Sequence, residues 1–177
     1  MSSRDRSRKR IRVDKAVYAQ PGTVALLTVC TDAENPVFRE TENAEIVFSE
    51  IRRLHGDRWS VLGYCIMPDH VHLLVLNVDG SLIDFVRVLK GRTARFLRER
   101  VDGSLWQRSF HDHLIRRSDD ISATLKYLFE NPVRAGLVSD WTTYAWSGSL
   151  RWPGIGPEFF ALNPSDVLWT EMFAISE

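Results

Sequence analysis

Apolar and polar positions follow two periods along this chain, and the switches between them mark its elements. VALLTVCT, residues 24–31, is a near-continuous apolar run rich in β-branched residues and predicts a strand. Between Thr41 and Leu54 the pattern changes: Ala44, Val47, Phe48, Ile51 and Leu54 recur at helical spacing. Two further strand-like runs, Trp59–Met67 and His70–Asn77, flank Pro68-Asp69 and predict a hairpin. Ser81 and Asp84 have the spacing of a capping box, opening a helix to about Arg100 that carries Leu82, Phe85, Val86, Leu89, Ala94, Phe96 and Leu97. Another strand is expected at Phe110–Ile115. Asp119 and Asp120 then stand where an N-cap belongs, before a helix from Ile121 towards Asn131 that Pro132 ends.

The order β-α-β-β-α-β is that of the ferredoxin-like split βαβ unit, so the expected class is α+β with an antiparallel sheet. A helix carrying Tyr127 follows this core. The segment from Trp141 to Glu177 is rich in Trp, Gly, Pro and Ser with weak periodicity, and is expected to be an irregular extension held by its aromatics. The domain reading is a basic, disordered arm at 1–15, one catalytic domain at 16–150, and an extension at 151–177 packed on that domain. A chain of 177 residues is long enough to bury a core without staples. It contains no apolar stretch of membrane-spanning length, and its basic start is not followed by an apolar core, which argues against a membrane span or secretory signal. Cys30 and Cys65 sit in apolar runs and read as buried free thiols. These features predict a cytoplasmic protein.

Charge changes the picture, because the net value of zero conceals blocks. Residues 1–15 hold seven Lys/Arg against two Asp/Glu, and 87–134 hold eleven against six. The intervening 16–86 hold four against ten, and 135–177 one against five. Such a chain can present a positive face to phosphates, although the same blocks also suit solvated helix faces.

The candidate chemistry lies in two places. His70 and His72, two apart on a strand, project from one sheet face, and two neutral imidazoles converging on one point can hold a metal. Tyr127 and Asn131, at i and i+4, bring a phenol and an amide oxygen to one side of a helix. A phenol attacking a phosphodiester needs that phosphate neutralised and aligned, which a metal can do. Taken singly, these residues also fit plain structural roles. One imidazole could pack while the other bonds at the surface, Tyr127 could be a half-buried aromatic, and Asn131 could end a helix before proline.

The surrounding text is more specific. YCIMPDHVHLLV (64–75) followed by YLFENPVRAGLV (127–138) resembles the REP-associated tyrosine transposases, a branch of the single-tyrosine HUH nucleases. LWQRSFHDHLIR (105–116) and LTVCTDAENPVF (27–38) resemble the same family, and the likeness spans roughly residues 24–148. The resemblance implies a metal-dependent single-stranded DNA transesterase without a nucleotide cofactor. Tyr127 matches the nucleophile, and His70, His72 and Asn131 match the ligands of a divalent metal, Mg²⁺ or Mn²⁺. The implied partner is single-stranded or hairpin DNA carrying palindromic repeats, met at the nucleoid by a monomer or homodimer. One departure stands out: His111-Asp112-His113 forms a second His-x-His where the family commonly has an aromatic at 111. That histidine is expected to pack or to touch DNA. Arg87, Lys90, Arg92, Arg95, Arg108, Arg116, Lys126 and Arg134 are the expected phosphate contacts, while Trp106 and Phe110 are expected in the core, with base stacking as the alternative. A repeat-binding protein without turnover, a related HUH initiator, and a water-using metal hydrolase are the alternatives.

Overall fold

The computed structural model of the protein describes residues 14–162 and 165–173. In chain order the elements are α1 (Lys15–Ala19), β1 (Val24–Cys30), α2 (Thr41–Leu54), β2 (Trp59–Ile66), β3 (His70–Asn77) and α3 (Leu82–Phe96). They continue with β4 (His111–Ile115), α4 (Ile121–Phe129), α5 (Asn131–Arg134), β5 (Ser147–Gly148), α6 (Pro157–Leu162) and α7 (Ser165–Phe173). The strands form one antiparallel sheet in the order β4-β1-β3-β2-β5. The first four strands have the connectivity of the expected ferredoxin-like core.

The two faces of this sheet carry separate cores. Ala25, Leu27, Val29, Val71, Leu73 and Val75 point to one side, where they meet Val47 and Ile51 of α2 and Phe85 and Leu89 of α3. Val24, Leu74, Leu76 and Cys65 point to the other, against Ile121, Leu125, Leu128 and Phe129 of α4 and Leu168, Trp169 and Met172 of α7. The period-2 alternation of β1 and β3 sorts residues between these layers. Both faces are covered, which is why the runs read as almost continuously apolar in the sequence. An irregularity between Val61 and Gly63 makes room for α4. A Cβ on Gly63 would stand 2.8 Å from Leu125 Cδ2, so the missing side chain sets how closely α4 approaches.

Several expectations need correction. Ser81 makes no side-chain cap bond, and Asp84 pairs with Arg87 instead of closing a capping box. The helix beginning there ends at Phe96, short of Arg100. Lys15 opens a short helix capped by the Asp14 side chain, so the expected arm at 1–15 overlaps structure at its end; its remainder, 1–13, lies outside the described residues. The C-terminal extension contains α6 and α7 and is therefore not irregular. It is tied to α4 where Ser165 Oγ donates to Asp120 and accepts from Ser122 N–H at 3.2 Å. Trp106, by contrast, lies in the core as expected: its indole N–H donates to Thr93 Oγ1 at 2.9 Å, and its ring lies 5.3 Å from that of Phe38. Among the described residues no helix is long and apolar enough to cross a membrane.

Candidate active site

β3 is flanked by β1 and β2, so the histidines at its start stand on a rigid platform. The side chains of His70 and His72 face the layer occupied by α4, not the α2–α3 layer, as alternation with Val71 and Leu73 requires. Each ring is fixed through its Nδ1. Asp69, in the tight β2–β3 connection, meets His70 Nδ1 through Oδ1 at 2.6 Å. Thr28 is paired with His72 across the β1–β3 ladder, and its hydroxyl lies 2.9 Å from His72 Nδ1. The two Nε2 atoms are left facing each other at 3.0 Å, with the rings near perpendicular at 86°.

Imidazole nitrogens are borderline donors, and the spacing of this pair fits two adjacent ligands of one divalent cation. Adjacent ligands about 2.1 Å from an octahedral ion stand about 3 Å apart, as the two Nε2 atoms do. Burial above all, with help from His70 and the Arg134 guanidinium, lowers the pKa of His72 to about 4. The ring is therefore neutral at physiological pH and keeps a lone pair for coordination. Among the described residues no cluster of three His, Cys, Asp or Glu exists that could hold a metal.

The tyrosine helix lies on the same side of the sheet. α4 packs through Ile121, Leu125, Leu128 and Phe129, leaving Tyr127 51% exposed. Its regular bonding stops at Pro132, which has no N–H for the carbonyl of Leu128. Asn131 makes good this loss: its Nδ2 donates to Leu128 O at 3.0 Å and to Tyr127 O at 3.2 Å. Asn131 therefore opens α5 and does not end α4, whose last residue is Phe129, and the same bonds hold its amide nitrogen, so that Oδ1 remains as its acceptor. Tyr127, Asn131 and Arg134 follow at i, i+4 and i+7, one stripe across α4 and α5. The Arg134 guanidinium lies 4.0 Å from the centre of the Tyr127 ring, and its charge acts on both His72 and Cys65.

Register also places the second His-x-His. Thr28 pairs with His72 on one side and His111 on the other, and Leu26 pairs with His113. Antiparallel partners share a face, so His111 and His113 stand on the same side of the sheet as His70 and His72. Both are exposed, so neither is a packing residue. Between them Asp112 faces the other layer and accepts the hydroxyl of buried Tyr18 at 2.6 Å.

The basic residues divide between the two sides. Lys126 is exposed on α4 beside Glu130, and Arg116 follows β4. Arg108 is exposed in the loop before β4. Arg87, Lys90, Arg92 and Arg95 belong to α3, across the sheet from the histidines. Two of these four are committed within the fold. Lys90 Nζ donates to the carbonyls of Gln107 and Arg108, and Arg92 pairs with the buried carboxylate of Glu50. The sequence reasoning missed Asp69 and Thr28. Their signals were an acidic residue immediately before the first histidine and a polar residue inside VALLTVC.

Comparison with known proteins bears on the family and the fold. The sequence profile described as Transposase IS200 like matches residues 25–131, more than half of the 177-residue chain. A Haemophilus influenzae (strain Rd) chain bearing the name REP-associated tyrosine transposase is 32% identical over 122 residues, covering 60% of this chain and 69% of its own. A solved REP-associated tyrosine transposase bound to a REP hairpin superposes with a TM-score of 0.63 at 21% identity, covering 73% of this chain and 78% of that one. The structural likeness establishes the fold, and the sequence matches establish the family. This chain belongs to the IS200-like transposases and, within them, to the REP-associated tyrosine transposases.

Proposed function

We propose that this transposase cleaves and rejoins single-stranded DNA at hairpin-forming repeats through a phosphotyrosine at Tyr127. The observation that supports the reading is that the His70–His72 pair and α4, the helix that carries Tyr127, lie on the same side of the sheet. His70 Nε2, His72 Nε2 and Asn131 Oδ1 would hold a Mg²⁺ or Mn²⁺ ion, whose contribution when bound is to polarise the scissile phosphate. Tyr127 Oη loses its proton and bonds to phosphorus, the bond to the 3′ oxygen breaks, and that oxygen leaves as a hydroxyl after taking a proton. The product is a 5′-phosphotyrosine and a free 3′ end. Attack by another 3′-hydroxyl reverses the step and joins strands. The covalent intermediate retains the ester, so no nucleotide needs to be spent.

Hairpin DNA as the partner is supported by the solved relative, which is described as bound to a REP hairpin. Lys126, Arg116 and Arg108 are offered as phosphate contacts, and exposed His111 and His113 as polar contacts beside the site. A strand reaching Arg87, Lys90, Arg92 or Arg95 as well would have to pass round the β4 edge of the sheet. The test uses a pool of single-stranded oligonucleotides with a hairpin, randomised flanks and a 3′ fluorophore. Protein carrying labelled DNA on a denaturing gel in Mn²⁺, and its loss on chelation, is the expected result. Cleaved DNA without any protein adduct would reject the phosphotyrosine in favour of hydrolysis by water.

A further inference from the structure

Arg134 is held from three directions, and two of them are on the nucleophile itself. Its guanidinium carbon lies 4.0 Å from the centre of the Tyr127 ring. One terminal nitrogen donates to the carbonyl of Tyr127, and the other lies 3.5 Å from Glu130 Oε2. Among the described residues the Tyr127 hydroxyl has no hydrogen-bond partner, and the ring is half exposed. An exposed tyrosine on a helix can occupy more than one staggered χ1 well, and only one can aim its oxygen at a given phosphate. The stacked guanidinium supplies the restraint that packing does not. A planar fork is needed for this, because it stacks on the ring while donating in its own plane to the backbone.

We propose that Arg134 is a positioning residue for Tyr127: it clasps the phenol ring in the orientation from which the hydroxyl attacks a phosphate seated on the histidine pair, instead of serving as one more phosphate contact. This rests on the reading of Tyr127 as nucleophile.

The two roles give different kinetics. For a positioning residue, Arg134→Ala lowers adduct formation at saturating hairpin oligonucleotide by about tenfold or more while half-saturation stays within about twofold. Arg134→Lys keeps the charge but not the planar stack, and does not restore the rate. Weakened binding together with rescue by lysine would overturn the proposal and return Arg134 to the phosphate contacts. Unchanged adduct formation by Arg134→Ala would overturn it as well. Should the alanine variant not fold, Arg134→Gln and Arg134→Lys carry the same comparison. A direct readout is the NMR signal of the Tyr127 ring, assigned by its disappearance in Tyr127→Phe. It shifts when the guanidinium is removed, and an unmoved signal contradicts the clasp. A parent protein that forms no adduct sinks the phosphotyrosine reading itself, whereas a parent adduct unaffected at Arg134 sinks the clasp alone.

Discussion

Each imidazole of the histidine pair is held through its Nδ1, one by Asp69 and one by Thr28, which leaves both Nε2 atoms to the site. Such partners orient a ligand and raise its basicity, and their loss typically weakens metal binding about 10–100-fold. Asp69→Asn is therefore expected to raise the Mn²⁺ concentration for half-maximal adduct formation by that order, and a superimposable Mn²⁺ titration would reject the orienting role. His70→Ala and His72→Ala should each abolish metal-dependent cleavage. Asn131→Ala should be milder, because water can replace a neutral amide oxygen. His111→Ala should keep the metal requirement, since its ring is separated from His72 by the intervening β1 strand. The pair itself was legible in the sequence because strand alternation alone puts residues 70 and 72 on one face. Thr28 was not, because its role depends on a register between strands more than forty residues apart. Asp69 was read only as part of a turn, since a turn residue's second contact is invisible to local pattern.

At the scale of elements, α2 and β3 have the bounds that periodicity gave them, because each buries a full face and hydrophobic spacing dominates there. The end of α4 could be read only in part. Pro132 announced a stop, yet the chain re-enters a helical turn at once, and Asn131 Nδ2 serves the Leu128 carbonyl that proline leaves. α7 was hidden because nine residues are too few for a periodic signal to stand out. The α4–β2 contact yields a stability prediction. Gly63→Ala should destabilise by about 1–3 kcal/mol through overpacking against Leu125, read from urea unfolding. Leu125→Ala in the same background should recover part of that loss, and an additive double variant would show that the two do not touch. The α2–β2 connection has a pH signature. His55 Nδ1 accepts the Val61 N–H at 3.0 Å, and burial, then Arg151, pushes its pKa below 6.5. The unfolded chain then binds more protons just below 6.5, so this stabilisation is intact above that value and fades as pH falls towards the folded value. From about pH 7 to about pH 5 the urea midpoint of the parent should fall more steeply than that of His55→Asn; equal slopes would contradict the linkage.

Across the whole molecule, one face of the sheet carries α2 and α3 and the other carries the candidate site. Composition could not show this division, because the basic residues of α3 and those near α4 read alike in sequence. Neutralising Lys126 or Arg116 should lower the slope of log affinity against log salt by about 0.7–0.9 for each phosphate no longer neutralised, as should removing basic residues of the arm by deleting 1–12. Arg87→Gln and Arg95→Gln should leave the slope unchanged, and a fall there would mean that DNA wraps the sheet edge. Arg92 is a poor choice for that test because its loss leaves the buried Glu50 carboxylate without its closest partner. The central claim concerns one atom, Tyr127 Oη. It is tested most directly by digesting the denatured protein–DNA adduct and locating the nucleotide by mass spectrometry, beside Tyr127→Phe, which keeps the ring and should bind hairpin DNA as the parent does. The expected result is a nucleotide on the peptide containing Tyr127 and no adduct in the phenylalanine variant; an adduct that persists without the Tyr127 hydroxyl, or one carried by another residue, would contradict the account.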